Sequence, residues 1–261
     1  AAITAMGRPR DSFDVVLIQL VNLLRDGKPV SMSTRAGTFE TLADVLREVG
    51  ADAARFMFLS RKSDSPLDFD LELAKQRSLD NPVYYVQYAH ARICAVLRRA
   101  GERGVSLPET VTEEMLAGLD TPEDMALLRK AAAFQDMLAA AARALAAHHV
   151  SHYLTELAGL LHSYYARHQV LLADDQPRTL ARLALLRAVA QVLRNGLDVL
   201  GGALDDGLDM MDGDIDLRGL EEEELVDPVD LAAEYSLDDP VRMYLKEIGQ
   251  VKLLSAEEEV E

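Results

Sequence analysis

The net charge of this 261-residue chain is concentrated at one end, and this limits which part can fold around a core. Residues 201–261 hold 20 acidic and 4 basic side chains, whereas residues 1–200 hold 24 acidic and 23 basic ones. High charge with few aromatic side chains disfavours a packed core, so residues 201–235 are predicted to form an acidic, mostly disordered linker. The nearly neutral first 200 residues are the part that can bury a core and approach a polyanion, which the acidic end would repel.

The composition indicates a soluble protein. No apolar run approaches the ~20 residues of a membrane-spanning helix, and the N-terminus lacks the basic-then-apolar order of a signal peptide. The single cysteine, Cys94, cannot form an internal disulfide, and on an apolar helix it is predicted to be a small buried side chain rather than a nucleophile. A reducing, cytoplasmic location is therefore expected.

Residues 13–24 form an apolar run of β-branched and leucine side chains near the start of the chain. This pattern predicts a buried strand, with a short helix as the alternative. After a polar loop at residues 28–39, residues 41–49 and 52–59 are each predicted to form a short helix, the first of them ended by Gly50. A small α/β unit is therefore expected ahead of the main helical part.

From residue 78 to about residue 200 the pattern predicts helices, which makes the expected fold class mainly α. Asn81 can cap the free amides of the first helix, and Pro82 fits the first helical position, where its missing N–H costs nothing. Residues 121–124 (TPED) predict another helix start, and residues 110–113 (TVTE) have the spacing of a capping box.

One face of the helix that begins at Pro82 carries Tyr85, Tyr88 and Arg92, at positions i, i+3 and i+7. An unpaired base stacked on an aromatic ring gains roughly 1–3 kcal/mol, and a guanidinium attracts phosphate. One interpretation is therefore a face that binds single-stranded nucleic acid. The alternative is that the tyrosines are core residues with hydrogen-bonded hydroxyls.

Three long stretches carry a family resemblance, namely QLVNLLRDGKPVSMSTRAGTF at residues 19–39, GADAARFMFLSRKSDSPLDFDLELAKQ at residues 50–76 and DNPVYYVQYAHARI at residues 80–93. They resemble the second half of bacterial arginyl-tRNA synthetases, class I enzymes with a DALR-type anticodon-binding domain. The resemblance implies that residues 1–77 are the C-terminal part of a catalytic domain. It implies that residues 78–200 are a helical anticodon-binding bundle.

The resemblance also implies a nucleotide site in the loop formed by Ser31, Met32, Ser33, Thr34 and Arg35. In the family this loop is the signature usually written KMSKS, which closes over ATP and steadies the departing pyrophosphate. Cations are needed there because negative charge builds up on the phosphate oxygens. Ser31 and Thr34 stand at the two lysine positions, so Arg35 is the one cation of a degenerate loop.

The other class I signature, a HIGH-type motif, should precede residue 1 of this sequence, and no such histidine pair occurs before His90. Because most of the ATP and arginine pockets would lie upstream, the chain alone is predicted not to attach arginine to tRNA. The full family enzyme uses ATP and magnesium, and no cofactor is expected in this chain. The chain is expected to begin inside a larger protein.

Arginine tRNA is the partner that the resemblance implies, with the chain expected to be a monomer. In the family, aromatic side chains of the first and later helices meet the anticodon loop. The candidate tRNA-binding residues are therefore Tyr85, Tyr88, Arg92 and Tyr165.

No proline interrupts residues 123–176, although one helix of more than roughly 40 residues is improbable in a globular domain. The family has prolines near positions 135 and 147, so by analogy a break is expected near residues 146–149. In this stretch His148 and His152 are one turn apart, which suggests zinc, but His149 stands where a zinc protease needs its glutamate. No metal site is predicted.

Residues 236–261 (SLDDPVRMYLKEIGQVKLLSAEEEVE) resemble the start of region 1.2 of bacterial primary sigma factors. Asp239 and Pro240 predict a helix start and Gly249 its end. An alternative function is therefore a transcription-associated protein whose C-terminus docks on RNA polymerase or promoter DNA, and a third is a chimeric bundle without activity. The two resemblances in one chain indicate a fusion, a misassembled reading frame or a constructed sequence.

Overall fold

The computed structural model describes residues 2–9, 12, 15–30 and 40–202. The predicted fold class is confirmed for these residues, since a small α/β unit precedes a helical bundle. The α/β unit consists of α1 Ala2–Ala5, β1 Val21–Arg25, β2 Lys28–Pro29, α2 Leu42–Val49, α3 Ala51–Leu59, β3 Leu67–Asp70 and α4 Leu71–Lys75. The bundle consists of α5 Pro82–Glu102, α6 Glu113–Leu116, α7 Pro122–Ala132, α8 Phe134–Ala144, α9 His148–Arg167 and α10 Gln176–Val199.

The sheet has the order β2-β1-β3, with β3 parallel and β2 antiparallel to β1. The buried strand expected over residues 13–24 is wrong in its extent, because the strand runs from Val21 to Arg25. Residues 15–20 have no regular structure and exposed side chains, and Ile18 is 80% exposed. The physical reason is that β3 pairs with β1 from Val21 onward, so the ladder reaches only the end of the apolar run.

The helices of the α/β unit begin and end where local chemistry predicts. Thr41 caps α2 through a reciprocal capping box with Asp44, and Gly50 ends the helix at a φ of 84°, where a side chain would be strained. Arg25 of β1 then joins α2 to α4, because its Nη1 lies 2.8 Å from Glu48 and 2.9 Å from Glu72.

Asn81 fixes the start of α5 in the predicted way. Its side-chain oxygen accepts a hydrogen bond from the amide of Val83, and Pro82 occupies the first turn. The amide of the same side chain donates to the carbonyl oxygens of Ala74 and Gln76, at 3.1 and 2.8 Å. Asn81 is buried and therefore anchors α5 to the end of α4 as well as capping it.

The centre of the bundle is the contact of α5, α9 and α10. Leucines that are fully buried fill it, namely Leu154, Leu157, Leu161, Leu186 and Leu193. Gly196 of α10 lets the helices approach closely, since a Cβ there would lie 2.4 Å from Cδ2 of Leu154. Burial of large aliphatic side chains at this density is the main stabilising contribution to the bundle.

Two interruptions divide the long helical stretch that follows residue 121. The break expected near residues 146–149 lies at residues 145–147, where Leu145 adopts a left-handed φ of 52°. A second break, at Ala133, separates α7 from α8 and was not predicted. No glycine or proline stands at either place, so sequence alone gave no local signal for them.

The two helix starts predicted in this part have different outcomes. The start predicted at residues 121–124 is confirmed, since Thr121 and Asp124 form a reciprocal capping box that opens α7. The box expected over residues 110–113 is wrong, because α6 begins at Glu113 after Thr112, and Thr112 makes no side-chain capping bond. The spacing of a capping box forms one only when the helix begins directly after its first residue, and here the helix begins after the third.

Asp124 also ties three helices together in the interior. It is fully buried, accepts a hydrogen bond from the hydroxyl of Tyr164 at 2.7 Å and lies 3.7 Å from Nε of Arg182. Arg182 is 4% exposed and donates to the carbonyl oxygen of Gln169 at 2.7 Å. Burial raises the pKa of Asp124, but hydrogen bonds from Thr121 and Tyr164 outweigh this, so its pKa is lowered.

The signature loop Ser31–Arg35, the acidic linker to residue 235 and the predicted C-terminal helix after Asp239 lie outside the described residues, apart from Gly201 and Gly202. Among the described residues, no helix combines the length and apolar composition that a membrane crossing needs.

Candidate nucleic-acid interface

The packing of α5 against α9 brings the four predicted tRNA-binding residues together. The guanidinium carbon of Arg92 lies 5.5 Å from the ring centre of Tyr88 and 4.7 Å from that of Tyr165. Tyr85 completes this cluster by contacting His162 of α9. The ring centres of Tyr85 and His162 are 4.6 Å apart. Cation–π contacts of this kind hold a guanidinium flat against aromatic rings.

Two of these tyrosines lie in the core. Tyr85 and Tyr88 are each 5% exposed, as the core interpretation expects, whereas Arg92 and Tyr165 are half-buried. The hydroxyls of Tyr88 and Tyr165 do not fit that interpretation, because both are buried and neither has a hydrogen-bond partner among the described residues. An unsatisfied buried hydroxyl costs roughly 1–3 kcal/mol, so this part of the cluster lacks the hydrogen bonds of a fully satisfied core.

Tyr84 is a residue of this cluster that the sequence interpretation missed. Its ring lies parallel to that of Tyr88, with a centre distance of 6.0 Å and an angle of 6°. Tyr88 stacks in turn on His162, at 5.6 Å and 24°. Tyr84 is half-buried whereas the other two are almost fully buried, so it forms the accessible end of a column of three rings. The i, i+4 spacing of Tyr84 and Tyr88 was the available signal.

His162 is the second missed residue, and it lies between the aromatic rings and Arg92. Its Nδ1 is 3.3 Å from Nη1 of Arg92, and its Nε2 is 3.4 Å from the carbonyl oxygen of Tyr85. Burial, and then the charge of Arg92, lower the pKa of His162 to about 4, against the opposing bond to Tyr85. Its ring is therefore neutral at pH 7. The contact joins different helices, so sequence spacing could not indicate it.

Two further arginines lie on the same helix or just before it, and Arg92 itself has no acidic partner in the described part of the chain. Among the described residues, no Asp or Glu forms an ion pair with Arg92. Arg77 is exposed and close enough to Tyr84 to oppose the rise in its phenolic pKa that burial causes. Arg99 is exposed and lies two turns further along α5, about 10 Å from Arg92 by helix rise. This arrangement suits a polyanion with unpaired bases.

The histidines at the start of α9 contact one another and the protein backbone. The rings of His148 and His149 are 4.3 Å apart, and Nε2 of His152 lies 2.9 Å from the carbonyl oxygen of Ser60. Burial is the main cause that lowers the pKa of His148 to about 4. Within the described part of the chain, no group of three or more His, Cys, Asp or Glu side chains is placed to hold a metal ion.

Residues 86–204 match the family described as the DALR anticodon binding domain. The bundle thus belongs to the class of helical anticodon-binding domains. Residues 239–261 match the family described as sigma-70 factor, region 1.2.

Similarity to curated relatives and to a solved structure identifies the particular family. Over 201 residues the chain is 86% identical to the arginine–tRNA ligase of Desulfovibrio desulfuricans, and over 202 residues 67% identical to that of Oleidesulfovibrio alaskensis. Each alignment covers 77% of this chain and 36% of the relative. A crystal structure from Campylobacter jejuni classed as an arginyl-tRNA synthetase superposes with a TM-score of 0.68 at 30% identity, covering 78% of this chain and 43% of that one.

The chain therefore carries the C-terminal region of the arginyl-tRNA synthetase family, including its DALR anticodon-binding domain, followed by the match to sigma-70 region 1.2. It spans about a third of the length of the curated relatives that it matches.

Proposed function

We propose that the bundle binds arginine tRNA at the anticodon and supplies the anticodon-reading part of an arginine–tRNA ligase. The observation that carries this proposal is the DALR match over residues 86–204, which includes Tyr88, Arg92, His162 and Tyr165. The chemistry of that cluster supports it, because the half-buried guanidinium of Arg92 has no acidic partner among the described residues and lies against the rings of Tyr88 and Tyr165.

Each side chain of the cluster has a distinct role in this proposal. The accessible ring of Tyr84 stacks with an unpaired base, and Tyr88 behind it keeps that ring in place. Arg92 donates to a phosphate or to a base edge, since a guanidinium offers five N–H groups. The rings of Tyr88 and Tyr165 support the guanidinium of Arg92, and Tyr85 supports the cluster from within the core.

Filter binding of the full chain tests the proposal. We expect tighter binding to arginine tRNA than to a tRNA for another amino acid at the same salt concentration, and a loss of this preference when the anticodon bases are changed. Equal affinity for both tRNAs would refute the proposal, since it would leave only sequence-independent phosphate binding.

Two matched arginine substitutions localise the contact. Arg92→Gln should weaken binding of arginine tRNA about tenfold, and a phosphate contact would also reduce the salt slope by about 1. The control Arg143→Gln removes an equal charge from an exposed position of α8, which packs on α7 and α9. The same loss in both variants would show that Arg92 acts only through net charge.

The match of residues 239–261 to sigma-70 region 1.2 favours a second candidate function, docking on RNA polymerase or promoter DNA. The test is co-purification of core polymerase with the full chain and with a chain that ends at residue 235. Retention that depends on residues 236–261 would support this function, and equal retention of both chains would exclude it.

We also propose that the chain does not catalyse adenylate formation by itself. Arginine-dependent pyrophosphate exchange, measured with the full chain, ATP, magnesium and arginine tRNA, should stay at background. Exchange clearly above that of a heat-inactivated sample would contradict this proposal.

A further inference from the structure

We propose that His162 is the positioning residue of this interface, and that its neutral ring fixes the guanidinium of Arg92 for contact with the nucleic acid. This inference rests on the proposed function of Arg92. It adds a residue that does not touch the tRNA but determines where a contacting residue lies.

The tautomer of His162 follows from the hydrogen-bonding groups around it. A guanidinium has N–H donors and no acceptor, so Nδ1 of His162, 3.3 Å from Nη1 of Arg92, must carry a lone pair. The proton of the neutral ring is then on Nε2, which faces the carbonyl oxygen of Tyr85 at 3.4 Å. The backbone of α5 thus selects the tautomer that can accept from Arg92.

Packing holds the imidazole in this orientation. Tyr85 meets it edge-on at an angle of 63°, and Tyr88 stacks on it at 24°. His162 is 5% exposed, so its ring cannot turn without displacing one of the two tyrosines. A fixed ring gives a fixed acceptor position, which is what a positioning role requires.

Arg92 keeps most of its donors for a ligand. Nδ1 of His162 is its one hydrogen-bond acceptor among the described residues, and the rings of Tyr88 and Tyr165 lie against its guanidinium. One N–H group is used for orientation, and the others can reach a phosphate or a base edge. A long side chain held in this way loses less rotamer freedom on binding than a free one.

Two variants of His162 separate an acceptor role from simple packing. His162→Asn places an amide oxygen close to the former Nδ1 position, whereas His162→Leu is similar in size but has no acceptor. We expect affinity for arginine tRNA within about threefold of the original protein for the asparagine variant, and about tenfold weaker for the leucine variant. Equal weakening by both would overturn the positioning role.

A double-mutant cycle with Arg92→Gln provides the decisive comparison. If His162 acts through Arg92, adding His162→Leu to Arg92→Gln should cause no further loss of binding. If the fold-losses of tRNA affinity in the two single variants multiply in the double variant, His162 acts independently and the proposal fails. Thermal melting of each variant shows whether it is folded, and if the leucine variant does not fold, the cycle is run with His162→Phe.

Nuclear magnetic resonance of the histidine ring nitrogens tests the inference without RNA. At pH 7 we expect His162 of the full chain to carry its proton on Nε2, with Nδ1 unprotonated. A proton on Nδ1 would overturn the inference, whatever the tRNA measurements give. Absence of arginine-tRNA binding with the expected tautomer would instead refute the proposed function and leave the His162–Arg92 contact in place.

Discussion

Acidification should destabilise the bundle through His162. In the folded protein its pKa is lowered to about 4 from an ordinary value of 6.5, with burial as the first cause and the charge of Arg92 as the second. Between these two values the unfolded chain binds more protons, so the free energy of unfolding falls as the pH falls. The contribution of His162 to the free energy of unfolding is complete above pH 6.5 and is lost as the pH approaches 4.

The magnitude follows from the size of the shift. One pKa unit corresponds to about 1.4 kcal/mol, so the full shift amounts to about 3 kcal/mol, of which about 2 kcal/mol is already lost at pH 5. In the described part of the chain, the titratable side chains that contact the ring of His162 are Arg92, Tyr85 and Tyr88 of α5. Arg92 is the only one of the three that is charged at this pH, and protonation would place a second positive charge 3.3 Å from it.

Urea unfolding followed by circular dichroism at pH 8 and pH 5 measures this loss. His162→Asn is the control, because it keeps an acceptor for Arg92 but cannot be protonated at these pH values. His148, whose pKa is also lowered to about 4, remains in both proteins, so its effect cancels in the comparison. The original protein should lose about 2 kcal/mol more than the variant between the two pH values. Equal losses would refute the reasoning.

Two further substitutions test the interior. Gly196→Ala should destabilise by about 1–3 kcal/mol, because the new Cβ would lie 2.4 Å from Cδ2 of Leu154, and an unchanged melting temperature would show that the helices can move apart freely. Asp124→Ala should cost about 3–5 kcal/mol, since it leaves the buried guanidinium of Arg182 without its acidic partner. Chemical unfolding measures this loss, and a loss below about 1 kcal/mol would mean that Arg182 finds another partner.

Features set by neighbouring residues could be predicted from the sequence. The caps at Asn81 and Thr121 depend on a side chain and a backbone amide two or three residues apart, so their geometry is contained in the local sequence. The meeting of Tyr88 and Arg92 on one face of α5 follows in the same way from the helical repeat. The helical pattern of residues 78–200 predicted the mainly α fold class, and the long literal resemblance indicated which kind of helical bundle it is.

Features that depend on distant partners could not be predicted. The apolar run before Val21 has the composition of a buried strand, but burial requires a neighbouring strand, and β3 pairs only from Val21 onward. The contact between Arg92 and His162 joins residues 70 positions apart on different helices. Hydrophobic period and cap spacing contain no information on which helix faces meet.

In the proposed function, burial and nucleic-acid binding are compatible in this cluster because different atoms serve each purpose. The rings of Tyr85 and Tyr88 are core side chains by exposure, and they hold His162 in one orientation. The accessible atoms belong to Tyr84 and Arg92, each of which rests on a buried ring. A rigid buried layer under an accessible one reduces the conformational entropy that binding must overcome. Under the proposed function, the core interpretation and the RNA interpretation of these residues describe two layers of one site.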